Sequence, residues 1–199
     1  MRSLLLGTRN PGKLREITSI LHGCGWSFCS LREFENVDAA EENGPTYAEN
    51  AIAKARFYAM ATGLCALADD SGLEVAALGR GPGVFSARYA GENASDADRR
   101  EFLLKQLLKI TNPDRRARFV CVVAIVNADG EVLNVSEGTC EGTITFAARG
   151  EGGFGYDPLF IPDSYTQTFA ELSEEIKNRI SHRALALINT RQFLQSCSS

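Results

Sequence analysis

Residues 119–126 read FVCVVAIV, eight consecutive residues without a charge or a breaker, five of them β-branched. A strand with one wet face alternates apolar and polar side chains, so a run this uniform reads as a strand covered on both faces. A strand of that kind belongs inside a sheet with helices on either side, which makes the fold class α/β. The rest of the chain supplies the partners. Residues 3–8 (SLLLGT) form a second short apolar run ending at a glycine. Asn10 then reads as an N-cap and Pro11 as the first helical residue. Leu14, Ile17, Ile20 and Leu21 recur at helical spacing, and the region around residues 23–25 closes that helix.

Thr46 or Pro45 opens a second, alanine-rich helix running to about Thr62, before Gly63. Residues 65–68 read as a strand leading directly into Asp69-Asp70-Ser71-Gly72. Residues 79–95 are too rich in glycine to predict regular structure. Ser95 or Asp96 caps a helix whose apolar face includes Phe102, Leu103, Leu107 and Leu108. After the central strand, Asp129-Gly130 is a hairpin-type turn and residues 131–137 alternate as a partner strand. A glycine-rich loop at 150–158 precedes helical pattern from 173 to 194. The expectation is a single domain over residues 1–199 with a mixed sheet, without repeats, linkers or a low-complexity tail.

Charge narrows the partners. With 21 basic and 25 acidic side chains the net charge is −4, so the chain lacks the basic field that holds nucleic acid. A small anion needs only local donors and is compatible with that balance. The opening MRSLLLGTRN carries too short an apolar run for a secretion signal or a membrane span, so no membrane partner and a cytoplasmic location are expected. Six cysteines occur without a C-x-x-C pair, and only two histidines, His22 and His182, are present. A zinc framework or multi-histidine centre is thereby disfavoured, and a metal would be held by oxygen, pointing to magnesium or manganese.

The segment Gly7-Thr8-Arg9-Asn10-Pro11-Gly12-Lys13 nearly spells a P-loop, but Leu14 stands where that motif needs a hydroxyl for magnesium. Pro11 also removes a backbone donor. What survives is a helix start with a lysine one turn in, which reads either as an anion-binding turn or as a well-capped helix with a solvated lysine. Asp69 and Asp70 follow a buried strand, where carboxylates are costly unless they bind a cation or accept hydrogen bonds. Neighbouring strand residues face opposite ways, so one of the two is expected to reach a given metal. Glu41-Glu42 is a further candidate ligand pair, or a solvated one. Residues 150–157 bring flexible backbone beside Phe154 and Tyr156, and Ser181-His182-Arg183 place donors at a helix start with Lys177 just upstream.

Six motifs occur in one order: T-R-N-P-G-K at 8–13, N-A-x-x-K-A at 50–55, A-D-D-S-G-L at 68–73, S-A-R-Y-A-G at 86–91, G-G-F-G-Y-D-P at 152–158 and K-N-x-x-S-H-R at 177–183. From Leu4 to about Leu194 the chain resembles the inosine triphosphate pyrophosphatase family. That family's first motif most often reads T-G-N, and this chain has Arg9 at the glycine. The resemblance implies an elongated, curved mixed β-sheet flanked by helices, in two lobes with the active site in the cleft between them, and a homodimer. It implies hydrolysis of non-standard purine nucleoside triphosphates (ITP, dITP, XTP, dXTP) to the monophosphate and pyrophosphate, with Mg2+ as cofactor. By the same resemblance Thr8, Arg9, Asn10, Pro11, Gly12 and Lys13 hold the triphosphate. Asp70 is the proton acceptor and binds metal with Glu41, Glu42 being the alternative register. Ser71 contacts substrate, Phe154, Gly155, Tyr156 and Asp157 line the nucleotide site, and Lys177, His182 and Arg183 face the purine. Two other readings remain open: a pyrophosphatase for modified pyrimidine or methylated nucleotides, and a nucleotide-binding module without turnover.

Overall fold

The computed structural model describes residues 2–34 and 36–197. In chain order the elements are β1 (Arg2–Leu6), α1 (Pro11–Leu21), β2 (Trp26–Ser30), α2 (Tyr47–Thr62), β3 (Cys65–Val75), β4 (Gly81–Pro82), α3 (Asp96–Leu108), β5 (Arg116–Val126), β6 (Val132–Ile144), β7 (Phe160–Pro162), α4 (Glu174–Ile180) and α5 (His182–Ser196), with short 3-10 turns between some of them. The strands lie in the order β2-β1-β3-β5-β6-β7, and β4 pairs with β3. β1 runs parallel to β2 and to β3, whereas β4 is antiparallel to β3 and β7 to β6. β5 and β6 are neighbours joined by five residues, too few for a parallel crossover, so they form a hairpin. The sheet is mixed and the protein α/β, as the sequence predicts.

The chain divides into two compact units. The first comprises Met1–Asp70, Cys121–Gly138 and Arg183–Ser199. Here β5 shows why its sequence is so uniform. Cys121, Val123 and Ile125 pack with Ile17 and Leu21 of α1 and with Ala186, Leu187 and Leu194 of α5. Val122, Ala124 and Val126 pack with Ala51, Ala55, Tyr58 and Ala59 of α2. Successive residues of one strand thus serve two cores, and every one of them is buried. The alanines of α2 give that helix a low profile against the sheet. Thr46 caps its start by accepting from the Glu49 amide, and Gly63 ends it with φ 68°, a left-handed conformation that costs glycine little.

The second unit comprises Ser71–Val120 and Thr139–His182. Its core gathers Leu73, Val75, Leu103, Leu107, Phe119, Ile144, Tyr156, Leu159, Phe160 and Phe169. Phe119 is the hub, with its ring centroid 4.7 Å from that of Phe160 and 6.1 Å from that of Phe169.

Four local expectations change. β3 does not stop before Asp69 but continues through both aspartates to Val75. The glycine-rich stretch 79–95 contains β4 and a 3-10 turn, Gly83–Arg88. Leu108, at the last turn of α3, is 82% exposed rather than part of the apolar face. The C-terminal helical pattern is interrupted at Ser181, whose extended backbone (ψ 155°) separates α4 from α5. Among the described residues no helix is long and apolar enough to cross a membrane.

Candidate active site

The turn from β1 to α1 forms as its sequence dictates. The Asn10 side chain accepts from the Gly12 amide at 2.8 Å and the Lys13 amide at 3.2 Å. The Asn10 amide itself donates to Thr8 Oγ1 at 3.2 Å. Pro11 occupies the first helical position, where a missing N–H is harmless. The Arg9 guanidinium donates to the Val37 carbonyl, and Arg9 is not among the residues held at positive φ. The backbone at position 9 therefore does not need the left-handed conformation that favours glycine. The helix is well capped, and the Lys13 ammonium lies 2.9 Å from Asp69 Oδ2 rather than standing alone in solvent.

β3 deals its two aspartates to opposite faces. Asp69 shares the face of Leu67, toward α1 and α5, and is 1% exposed. There Lys13 and the Arg183 guanidinium (Nε to Oδ2, 3.2 Å) surround it, and Arg183 also pairs with Glu16 at 2.5 Å. Burial alone would raise the Asp69 carboxyl, but the charges of Lys13, Arg183 and Lys54 hold it well below the usual carboxylate range. Arg183, equally buried, is raised in turn because Asp69 and Glu16 outweigh its desolvation. Asp70 shares the face of Ala66 and Ala68, toward α2. Its Oδ2 accepts from Asn50 Nδ2 at 3.0 Å. Burial pushes its carboxyl up, against the opposing charge of Lys54 and the Asn50 hydrogen bond.

Lys54, one turn beyond Asn50 on the buried face of α2, donates to the Asp69 carbonyl at 3.0 Å and pairs with Glu42. Of the two adjacent glutamates, Glu42 is the one whose charge acts on Asp70. Glu41 is exposed and accepts from Asn43 Nδ2 at 2.9 Å. Asn50 also fixes the loop that carries these glutamates, accepting from the Gly44 amide at 2.7 Å. Asn50 and Lys54 belong to a motif quoted above without a role. The signal that could have found them is two polar residues four apart on the one face of an alanine-rich helix that must be buried.

Among the described residues no group of three or more His, Cys, Asp or Glu side chains could hold a metal. Magnesium is commonly bound through one or two carboxylates, the remaining positions being water and substrate phosphate. Burial raises the Asp70 carboxyl and the charge of Glu42 adds to it, and a bound cation would offset both. Asp70 and Glu42 offer oxygen donors of the kind that hard divalent cations prefer.

The second unit assembles the remaining candidates. Asp157 Oδ2 accepts from the Phe154 amide at 2.9 Å and pairs with Lys177 Nζ at 2.5 Å. Lys177 is 5% exposed and its ammonium sits 4.7 Å from the centroid of the Phe154 ring. Tyr156 is buried and its hydroxyl donates to the Ser86 carbonyl at 3.0 Å. His182 stacks on Phe119 with ring centroids 4.6 Å apart and planes 11° from parallel. Ser71 is half-buried on β3.

The fold is α/β, with a capped turn bearing a lysine and two strand aspartates in the first unit and a lysine–aromatic cluster in the second. The Ham1 family model matches residues 4–193, and the chain belongs to the Ham1 family. It is 49% identical over 191 residues to a dITP/XTP pyrophosphatase of Desulforamulus reducens, covering 96% of this chain and 94% of that protein. It is likewise 49% identical over 184 residues to a dITP/XTP pyrophosphatase of Thermus thermophilus, covering 92% and 87%. A solved HAM1 protein from Coxiella burnetii superposes with a TM-score of 0.90 at 45% identity, over 98% of this chain and 100% of that one. The Staphylococcus aureus Ham1 protein gives 0.85 at 41% identity, over 98% and 99%.

Proposed function

We propose that this chain hydrolyses ITP, dITP, XTP and dXTP to the nucleoside monophosphate and pyrophosphate, removing deaminated purines from the nucleotide pool with magnesium as its metal. The observation that carries the reading is the partition of the two aspartates along β3. Asp69 is committed to Lys13 and Arg183 on one face, and Asp70 lies with Asn50 on the other, in the field of Glu42 and Lys54. One carboxylate braces the cations, and the adjacent one faces the other way, toward Asn50 and Lys54.

Asp70 is the group that accepts the proton of the attacking water. Asp70 and a glutamate of the 41–42 pair would hold magnesium, the Glu42 charge acting on Asp70 being what favours Glu42 over Glu41, and the ion would neutralise phosphate charge. Lys13 and the turn from Thr8 to Gly12 stabilise the pyrophosphate as it leaves, through charge and donors at a helix start. Ser71 contacts substrate beside Asp70. Phe154, Gly155, Tyr156 and Asp157 form the wall for the nucleotide. Lys177 and His182 are donors suited to the carbonyl at purine C6 of hypoxanthine and xanthine, and an adenine amino group would oppose them donor to donor, whereas Arg183 is held by Glu16 and Asp69 instead. The reading carries with it a homodimer acting in the cytoplasm.

The test is a product panel with magnesium across ITP, dITP, XTP, ATP, GTP and modified pyrimidine triphosphates. Pyrophosphate release with ITP well ahead of ATP and GTP is the expected result, and orthophosphate as sole product overturns it. Lys13→Ala should raise the KM for ITP roughly ten- to hundredfold, the loss of one charge-assisted contact. An unchanged KM would remove Lys13 from the phosphate site.

A further inference from the structure

We propose that Asp96 and Arg100 on α3 are positioning residues that lock the Gly155 peptide and thereby aim Phe154 at the purine of the substrate. Positions 96 and 100 are four apart on a helix and so lie on one face. From that face Asp96 Oδ2 accepts from the Gly155 amide at 2.7 Å, and Arg100 Nη1 donates to the Gly155 carbonyl at 2.8 Å. Both backbone groups of one glycine are tied to one helix. Helix capping does not account for this, because the capping box of α3 is made by Ser95 and Asp98. Asp96 also divides its oxygens, Oδ1 pairing with Arg99, which in turn donates to the Ala87 and Ala94 carbonyls at 2.8 and 2.7 Å.

The need for such a clamp lies in Gly155 itself. Its φ is +58°, and a Cβ added there would meet nothing within 4 Å. Glycine permits that conformation but does not enforce it, so the joint is loose unless something outside it is fixed. On either side the loop already has anchors: the Phe154 amide is held by Asp157, and the Tyr156 hydroxyl by the Ser86 carbonyl. Gly155 is the hinge between those anchors, and Asp96 with Arg100 removes its freedom. Burial would raise the Asp96 carboxyl, but the Gly155 amide and Arg99 keep it below its ordinary range, so the acceptor stays ionised.

This inference rests on the reading that residues 154–157 form the nucleotide wall, and the experiment separates the two. Steady-state hydrolysis of ITP is measured for Asp96→Ala, Arg100→Met, Asp96→Asn and Phe154→Ala, together with inhibition by tripolyphosphate, which carries no base. Asp96→Ala and Arg100→Met should each raise the KM for ITP roughly tenfold or more, with kcat within about threefold of the parent and the tripolyphosphate inhibition constant unchanged. Asp96→Asn keeps an acceptor oxygen and should recover most of the loss. Loss of tripolyphosphate inhibition in step with the rise in KM, or an unchanged KM in both Asp96→Ala and Arg100→Met, overturns the clamp. An unchanged KM in Phe154→Ala overturns the underlying reading, whereas a raised KM there with unaltered Asp96 and Arg100 variants overturns the clamp alone.

Discussion

Asp70→Asn should lower kcat for ITP by about a thousandfold while the protein still folds and still binds nucleotide. The substitution preserves shape, and an asparagine oxygen at this position can still accept from Asn50 Nδ2, the contact now made at 3.0 Å. What it removes is the negative charge and the proton acceptor, and general-base groups contribute about a hundred- to ten-thousandfold. Because Asp70 is also a proposed magnesium ligand, the magnesium concentration for half-maximal activity should rise in any residual turnover. The neighbouring change, Asp69→Asn, should behave differently. It leaves Lys13 and Arg183 without their shared carboxylate, so its cost falls on KM and on stability rather than on the chemical step. Calorimetric titration with ITP, beside single-turnover rates, distinguishes the two. Near-normal kcat in Asp70→Asn would show that another group accepts the proton.

The contrast between those aspartates also shows where sequence reasoning succeeds and where it stops. The uniform run of β5, the Asn10–Pro11 helix start and the Thr46 and Gly63 ends of α2 are local signals, each fixed by the chemistry of a few adjacent residues. β3 was harder to delimit. Two charges after an apolar run look like the end of a strand, because an unpaired carboxylate in a core is costly. The strand continues because its partners come from elsewhere: Lys13 and Arg183 for Asp69, Asn50 for Asp70. No window of sequence around residue 69 contains them. The register of the metal glutamate, Glu41 with Glu42 as the alternative, is not fixed by local sequence for a related reason. They lie in a loop without periodicity, and only the placement of Lys54 brings Glu42 into the field of Asp70. The break at Ser181 hid inside a helical pattern because one extended residue leaves the apolar spacing on either side almost undisturbed. Ordered motifs carried the family where local physics could carry only the elements.

Arg183 is the residue whose loss should damage the first unit most. Its side chain is 2% exposed and is held by Glu16 at 2.5 Å and by Asp69 at 3.2 Å. Removing one partner of a buried ion pair costs about 3–5 kcal/mol, because the opposite charge stays behind without compensation. Arg183→Met keeps much of the side-chain volume, so packing is nearly conserved and the electrostatic loss dominates. For a chain of this length that range corresponds to a fall in Tm of about 6–20 °C. Lys13 still faces Asp69, which moderates the loss on that side, while Glu16 loses the contact it makes with Arg183 at 2.5 Å. Adding Glu16→Gln to Arg183→Met should therefore restore part of the stability, with a coupling of about 0.5–3 kcal/mol for groups in direct contact. Thermal melts of the parent, both single variants and the double variant close the cycle. Additive changes would show that the Glu16–Arg183 contact contributes little and that Arg183 matters through Asp69 alone.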